Sequence, residues 1–550
     1  MVLASGLAVG GRLADNPTPA PAVFGSDMDV RRRMSFLAGA ASNWLAFAAT
    51  LAVSFFLTPH LIADLGKPRY DVWCVVESVL AYFTLLDLGV AVCLVRFVAR
   101  HRAAADQDGL NRIASASLAV FVAAAAAAVA IGIPVLLLLA PALDGKVEGD
   151  GDVLPFMLLM LANLAASLPL GVFPTILDGL EKFTTKSAIR LASLAVRTAG
   201  IVWCLTHTTG LFPLAVVYTV TNAVEHLAMA VACQRALPGL RFRRRFVDRA
   251  TLHQVRGGSV DAFLAMLAGR ITVQTGAIVI GLFLPGGQVT FFATAARLVE
   301  YAKSLLRTVT GTLTPGVSVM ESRGDHAGIR QLYLAATKWV LYLVLPIHIG
   351  LLFFGRPFLA RWVGVEFVAG SYPALVVLST TLTIGVVQSV ASRFLYGLGR
   401  LRLYARLALL DAAANVVLTA ILIGPFGVVG VAVAVAVPNV AFCVVVLIHA
   451  AKQLGVTGRE YLTACVRPLA LSLVPLTIWL TAGEAAADWG PIFSTGAVGL
   501  LPYLIAVAAV EWSRQELNHR QDDGRREQRE AQEQRGGGVA RRRRRFGLRR

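Results

Sequence analysis

Nine residues carry the chemistry of this sequence: the cations Arg197, Arg270, Arg297, Lys303 and Arg307, the amide Gln274, and the acids Glu77, Asp87 and Glu300. All lie inside long apolar stretches, where a charged side chain costs about 2.5–3.5 kcal/mol at mid-bilayer on insertion scales. Five cations facing lipid would cost on the order of 12–17 kcal/mol, comparable with the whole stability of a protein. They must therefore face water, pair, or reach for the membrane surface. At 100° per residue, Arg297, Glu300, Lys303, Ser304 and Arg307 fall within an arc of about 120°, one polar stripe on one helix. Glu300 stands three residues from both Arg297 and Lys303, so it can reach either. Arg270 and Gln274 share a face one turn apart. A cavity lined by such cations suits an anionic cargo, because the planar guanidinium grips phosphate through two parallel hydrogen bonds. Glu77 and Asp87 are expected to neutralise Arg197 or Arg270, or to change protonation during a coupled cycle. Glu225 and Asp261 are expected nearer the interface, and Asp411 is a further acid inside a span.

The elements that must hold these residues follow from composition. The chain has 550 residues, 56% hydrophobic and only 15% charged, against about 25% charged in soluble domains. A soluble enzyme is excluded. The apolar residues fall in about fourteen blocks long enough to cross a bilayer, from 35–60 and 72–98 through 289–316, 404–424 and 427–450 to 491–511. The formal charge of +18 is distributed by topology. Alternate connections and the tail hold about 41 of the 51 basic residues, and the opposite set holds only Lys67, Arg69, Lys146, Arg356 and Arg361. Cytoplasmic loops carry such an excess, so both termini are expected in the cytoplasm. Residues 1–34 lack the pattern of a cleaved signal peptide, and Met28 or Met34 is an alternative start. Six cysteines sit singly in apolar blocks and suggest neither a disulfide framework nor a metal site. The tail from 512 to 550 ends in Arg541–Arg545 and has a composition that cannot bury a core.

The chain also resembles itself at an offset of about 218. Asn43–Phe47 falls on Asp261–Ala265, Leu177-Asp178-Gly179-Leu180 falls on Leu395-Tyr396-Gly397-Leu398, and Asn222 falls within one residue of Asn439. The expected fold is an all-α polytopic membrane protein with about 14 transmembrane helices. It comprises a cytoplasmic segment (1–34), two six-helix lobes (35–255 and 256–455), two added helices (456–511) and a disordered basic tail (512–550). Two related bundles facing each other place a binding site between the repeats.

Tyr70-x-x-Trp73, then Ala81–Gly89 and Arg96-Phe97-Val98, resembles the second-helix signature of bacterial polysaccharide flippases of the Wzx type. Gly397–Arg400, Asn415–Leu418, Gly427–Ala432 and Pro438-Asn439 resemble that family's eleventh and twelfth helices. The family belongs to the multidrug/oligosaccharidyl-lipid/polysaccharide exporter superfamily. The resemblance implies that the chain flips undecaprenyl-diphosphate-linked oligosaccharide across the bacterial cytoplasmic membrane by alternating access. It also implies a cationic lumen in the seventh and eighth helices, where Arg270, Arg297, Lys303 and Arg307 stand. The long basic tail and the scarcity of acids in the second lobe depart from the pattern.

On this reading the chain is not an enzyme and needs no cofactor. Its partners are the lipid-linked oligosaccharide, membrane lipid, and a polysaccharide polymerase and glycosyltransferases, with no nucleic acid. A small-molecule or multidrug exporter of the same superfamily is a second reading. A membrane glycosyltransferase, polymerase or ligase is a third, disfavoured because the outer loops are too short for a catalytic site and no H-E-x-x-H or D-x-D motif stands in a suitable loop.

Overall fold

Inside hydrocarbon each backbone N–H and C=O must be paired within the protein, which helices achieve segment by segment. The computed structural model describes residues 30–513 except 88, 148–151, 209, 250, 253–259, 312 and 483–487, and among the described residues every regular element is helical. The segment before residue 30 and the tail beyond 513, with its arginine run, lie outside the described residues. The N-terminal half comprises α1 (Val30–Leu65), α2 (Lys67–Phe83), α3 (Val90–Ala103), α4 (Gln107–Asp144), α5 (Val153–Leu170), α6 (Val172–Gly179), α7 (Phe183–His207) and α8 (Leu211–Ala236). The C-terminal half comprises α9 (Val260–Phe283), α10 (Gln288–Thr310), α11 (Leu313–Ser322), α12 (His326–Trp362), α13 (Val368–Gly397) and α14 (Arg402–Gln453). Helices α15 (Gly458–Ala482) and α16 (Trp489–Ser513) follow.

Three expected spans are broken, one of them, 153–177, at Gly171 between α5 and α6. The stretch expected as a single span over 72–98 turns through a 3-10 segment at Thr84–Asp87 and a left-handed Gly89 (φ 75°), a conformation glycine adopts without steric cost. The eighth span likewise divides between α10 and α11. By contrast, 404–424 and 427–450 form one 52-residue run, α14. A straight helix of that length would be about 78 Å long, more than twice the hydrocarbon thickness. It instead folds back at Gly427 (φ 54°, ψ −132°). Consequently Asn415 Nδ2 reaches the carbonyl of Ala434 at 3.4 Å, and the rings of Tyr404 and Phe442 lie 5.6 Å apart.

Eleven helices among the described residues are long and apolar enough to cross a membrane. The chain is thus a multi-pass membrane protein. The expected fourteen crossings are reached only by counting α14 twice and adding the broken pairs α2–α3, whose helices have 17 and 14 residues, and α10–α11, where α10 carries Arg297, Glu300, Lys303 and Arg307.

The internal repeat is visible in the packing. Without a hydrophobic drive between helices in lipid, close approach of small residues holds bundles together. A Cβ on Gly179 would stand 2.7 Å from Val98 Cβ and 3.0 Å from the Val95 carbonyl. A Cβ on Gly397 would meet Val317 Cβ at 2.9 Å and the Thr314 carbonyl at 3.1 Å. The residues that follow, Glu181 (φ 59°) and Gly399 (φ 67°), are both left-handed. Asp106 caps α4 through the N–H of Gly109, and Asp325 caps α12 through the N–H of Gly328, each at 2.8 Å.

Within each half the helices pack mainly on their own kind: α1 on α7, α4 on α5, α5 on α8, and α9, α10 and α12 on α13 and α14. Helices α15 and α16 flank α12, where Lys338 Nζ meets Glu511 at 2.6 Å with both side chains almost buried (11% and 12% exposed). The halves meet where α2 packs on α9 and α10.

Candidate functional site

Between the halves lies a cavity of ≈ 1170 Å³ lined by α1, α2, α7 and α8 on one side and α9, α10, α13 and α14 on the other. Its size exceeds the 300–1,000 Å³ typical of sites for drug-sized molecules. Six basic side chains line it, Arg197, Arg270, Arg297, Lys303, Arg307 and Arg393, against the three acids Glu77, Glu300 and Asp411. The lining is therefore net cationic.

All six residues expected to bind cargo, Arg197, Arg270, Gln274, Arg297, Lys303 and Arg307, line this one cavity. Their pairing differs from the expectation. Glu300 bonds neither Arg297 nor Lys303 but Arg307, at 3.0 Å and two turns along the helix. Arg297 instead crosses between halves. Its Nη2 donates to Glu77 Oε2 at 3.2 Å and its Nη1 to Thr58 Oγ1 at 3.3 Å, while its guanidinium lies over the Tyr70 ring at 5.6 Å. Arg197 is neutralised within its own half by Glu225 at 3.3 Å, and it also donates to Thr221 at 3.1 Å. Glu225 therefore sits in the body of α8, not at the interface as its position in the sequence suggests. Ser193 donates to the same carboxylate at 2.8 Å. The side chain of Asp87 lies outside the described residues.

Among the described residues three of these cations, Arg270, Lys303 and Arg393, have no carboxylate partner. Lys303 Nζ donates to the Thr381 hydroxyl, at 2.7 Å. Arg270 has no hydrogen-bond or ion-pair partner among the described residues and faces the cavity one turn from Gln274. These three are the groups most available to an incoming anion, since a paired guanidinium must first give up its carboxylate.

Arg393 is not among the residues expected at the site, yet it lines the cavity. The signal that could have found it is the spacing of Ser389, Ser392, Arg393 and Tyr396, all on the cavity face of α13 at the helical interval. Asp411 was recognised only as an intramembrane acid. It is buried, and its Oδ2 accepts from Thr272 Oγ1 at 3.1 Å.

The cavity is closed at one end. Asp71 on α2 accepts from the backbone N–H of Gly287 (2.6 Å), Val289 (3.2 Å) and Thr290 (2.6 Å), and from the Thr290 hydroxyl. A carboxylate from one half thus caps the N-terminus of α10 in the other, where the free N–H groups and the helix dipole favour negative charge. Lys146 does the reverse for α9, donating to the carbonyls of Gly281 and Leu284 at its C-terminal end. Burial holds the Lys146 ammonium below its ordinary range, partly offset by Asp71. The Lys67 ammonium lies over the rings of Phe291 and Phe367 at 5.0 and 4.6 Å. Trp362 closes the same end, donating to the Phe55 carbonyl at 3.0 Å and stacking on the Phe55 ring. Toward the other end the lining continues to Arg393, Tyr396 and Arg307, whose side chain is 46% exposed.

Residues 65–321 match a family model described as polysaccharide biosynthesis protein. A 172-residue stretch is 30% identical to the probable low-salt glycan biosynthesis flippase Agl15 of Haloferax volcanii, covering 31% of this chain and 36% of that relative. The alignment thus spans about a third of that protein's length. Among solved structures, the lipid II flippase MurJ in an inward closed conformation matches 87% of this chain and 99% of its own with a TM-score of 0.68 at 13% identity. An inward-facing multidrug resistance MATE family transporter of the MOP superfamily matches 74% of this chain and 94% of its own, with a TM-score of 0.58 at 15% identity. The chain thus shares its fold with MurJ and the MATE transporter, and over residues 65–321 it is similar to polysaccharide biosynthesis proteins.

Proposed function

We propose that the chain moves a lipid-linked oligosaccharide, joined to its undecaprenyl carrier by a diphosphate, between the leaflets of the bacterial cytoplasmic membrane. The observation that supports this most is the net cationic cavity, with Arg270, Lys303 and Arg393 unopposed by carboxylates among the described residues. A diphosphate can replace Thr381 at Lys303 and occupy the open Arg270, while the sugars take the hydrated remainder of the cavity. The distribution of Lys and Arg supports an orientation with the loops that bear Lys67 and Lys146 on the outer face, and on that reading the cavity opens toward the cytoplasm. Loading then occurs from the inside. Release requires that the bonds of Asp71 to α10 break while the halves close at the Arg307 end.

Arg270→Ala should abolish surface polysaccharide while leaving the protein inserted and folded, because no partner is stranded. Arg297→Ala should do the same with some loss of stability, because Glu77 is left alone. Normal polysaccharide in the double variant would overturn the reading. The likeness to a multidrug transporter keeps a second reading, a small-molecule exporter, in play. The two separate in a binding assay on the purified protein. A soluble short-chain isoprenyl diphosphate should bind, and bind less tightly to the Arg270→Ala variant, whereas tighter binding of cationic drugs would favour the exporter.

A further inference from the structure

The connection after α8 is built in an unusual way for a charged loop. Residues 237–246 run along the end of the N-terminal half with alternating sides. Leu237, Leu240 and Phe242 pack on its core, Phe242 edge-on to Phe173 at 5.8 Å, while Arg241, Arg243, Arg244 and Arg245 are exposed. Two polar side chains of α4 fix the backbone. The Asn111 side-chain oxygen accepts from Arg241 N at 2.9 Å and its amide donates to the Gly239 carbonyl at 3.3 Å. Ser115 Oγ accepts from Arg243 N at 3.2 Å. Asn111 and Ser115 are each only 4% exposed, so a buried polar pair is committed to holding this backbone. Charge bias alone needs no such order, since a solvated loop satisfies the positive-inside rule equally well. The guanidiniums themselves are left outward, and Arg245 lies over the Phe246 ring at 5.1 Å.

The strip is remote from the transport path. It is pinned to α4, and no residue of α4 lines the cavity. Its position at the end of an outer helix, on the face the charge distribution places in the cytoplasm, sets it at the level of lipid headgroups. We propose that Arg241, Arg243, Arg244 and Arg245 form a pre-ordered docking surface for anionic phospholipid headgroups of the inner leaflet, with Asn111 and Ser115 as positioning residues. A phosphate-bearing headgroup fits because guanidiniums bind phosphate in forked geometry, and each basic residue near an anionic surface strengthens attachment about fivefold. Ordering the backbone beforehand removes part of the entropy that binding would otherwise cost.

The test uses the full chain in detergent, with titration of short-chain phosphatidylglycerol against phosphatidylcholine and retained lipids counted by native mass spectrometry. Phosphatidylglycerol should be retained preferentially. Replacement of the four arginines by Gln should reduce that preference at least tenfold without lowering the melting temperature, because their side chains do not hold the loop. Asn111→Ala with Ser115→Ala keeps every arginine and should still weaken phosphatidylglycerol retention severalfold. Equal retention of the two lipids, or undiminished preference in the four-arginine variant, overturns the proposal. Undiminished preference in the Asn111/Ser115 variant shows that charge alone suffices and overturns the pre-ordered surface. None of these readouts involves the cavity or its cargo, so failure here leaves the transport reading standing, and the reverse.

Discussion

Replacement of Asp71 tests the closed end of the cavity directly. Its carboxylate, 5% exposed, accepts four hydrogen bonds from the start of α10. Hydrogen bonds to charged groups are worth about 1.5–3 kcal/mol each when one partner is removed, whereas exchanging a solvent-exposed N-cap for Ala costs about 0.5–2 kcal/mol. The lower figure holds where water can take over the free N–H groups. Here Lys67 and its aromatic partners restrict water, so Asp71→Ala should disfavour the closed arrangement by about 2–4 kcal/mol, roughly a 30- to 800-fold shift in the ratio of closed to open molecules. Asp71→Asn keeps an acceptor oxygen and loses the charge–dipole part, about 1–2 kcal/mol. The assay is a distance distribution between spin labels at positions 144 and 366, both exposed beside the closed end, after replacing the six native cysteines. A longer-distance population should grow in the order wild type, Asp71→Asn, Asp71→Ala. A folded Asp71→Ala protein with an unchanged distribution would refute the argument that this cap holds the halves together.

Three further outcomes follow. Arg197→Ala and Glu225→Ala each strand a partner whose side chain is about a fifth exposed. Each should cost about 1–3 kcal/mol in unfolding experiments, with the double variant costing less than the sum. Gly179→Ala and Gly397→Ala should each lower the melting temperature, by about 1–3 kcal/mol of overpacking, whereas Gly316→Ala, where nothing lies within 4 Å of the new Cβ, should not. Asp106 is held below the ordinary carboxylate range by the Gly109 N–H and by His101. Because its folded value is depressed, its stabilisation is present above the unfolded carboxyl range near pH 4 and is lost as pH falls through the folded value. Asp106→Asn, which keeps the capping oxygen, should therefore flatten the acid side of the stability profile.

What could be read from the sequence and what could not divides by range. Helix periodicity placed Arg297, Glu300, Lys303 and Arg307 on one stripe, since that geometry is internal to a single element. The cost of charge in lipid then required the stripe to face something wet. The partners were misassigned because they are not local. Glu300 faces Arg307 rather than its nearer neighbours, and Arg297 reaches Glu77 across 220 positions of chain. Arg393 was missed because a residue near a span end counts equally well as a loop residue, and only the shared cavity face of Ser389, Ser392 and Tyr396 distinguishes the two. Asp71, just before an apolar block, carries no sign in sequence that it caps a helix in the other half.

The two halves repeat in backbone and diverge in charge, and this difference bears on mechanism. At the offset that superposes Gly179 on Gly397, Arg197 falls on Asn415, Glu225 on Cys443 and Ser193 on Asp411. The N-terminal half thus places a compensated ion pair, 3.3 Å between partners, where the C-terminal half places an amide, a thiol and a buried acid. The capping and close-packing sites, Asp106 with Asp325 and Gly179 with Gly397, stay matched because each half closes the same kind of turn. The charges are free to differ because they lie at or beside the cavity and take no part in those turns. The cavity cations without a carboxylate among the described residues, Arg270, Lys303 and Arg393, all belong to the C-terminal half. An anion entering the cavity therefore meets uncompensated positive charge on the C-terminal half, while the arginine of the N-terminal half, Arg197, is already satisfied by Glu225.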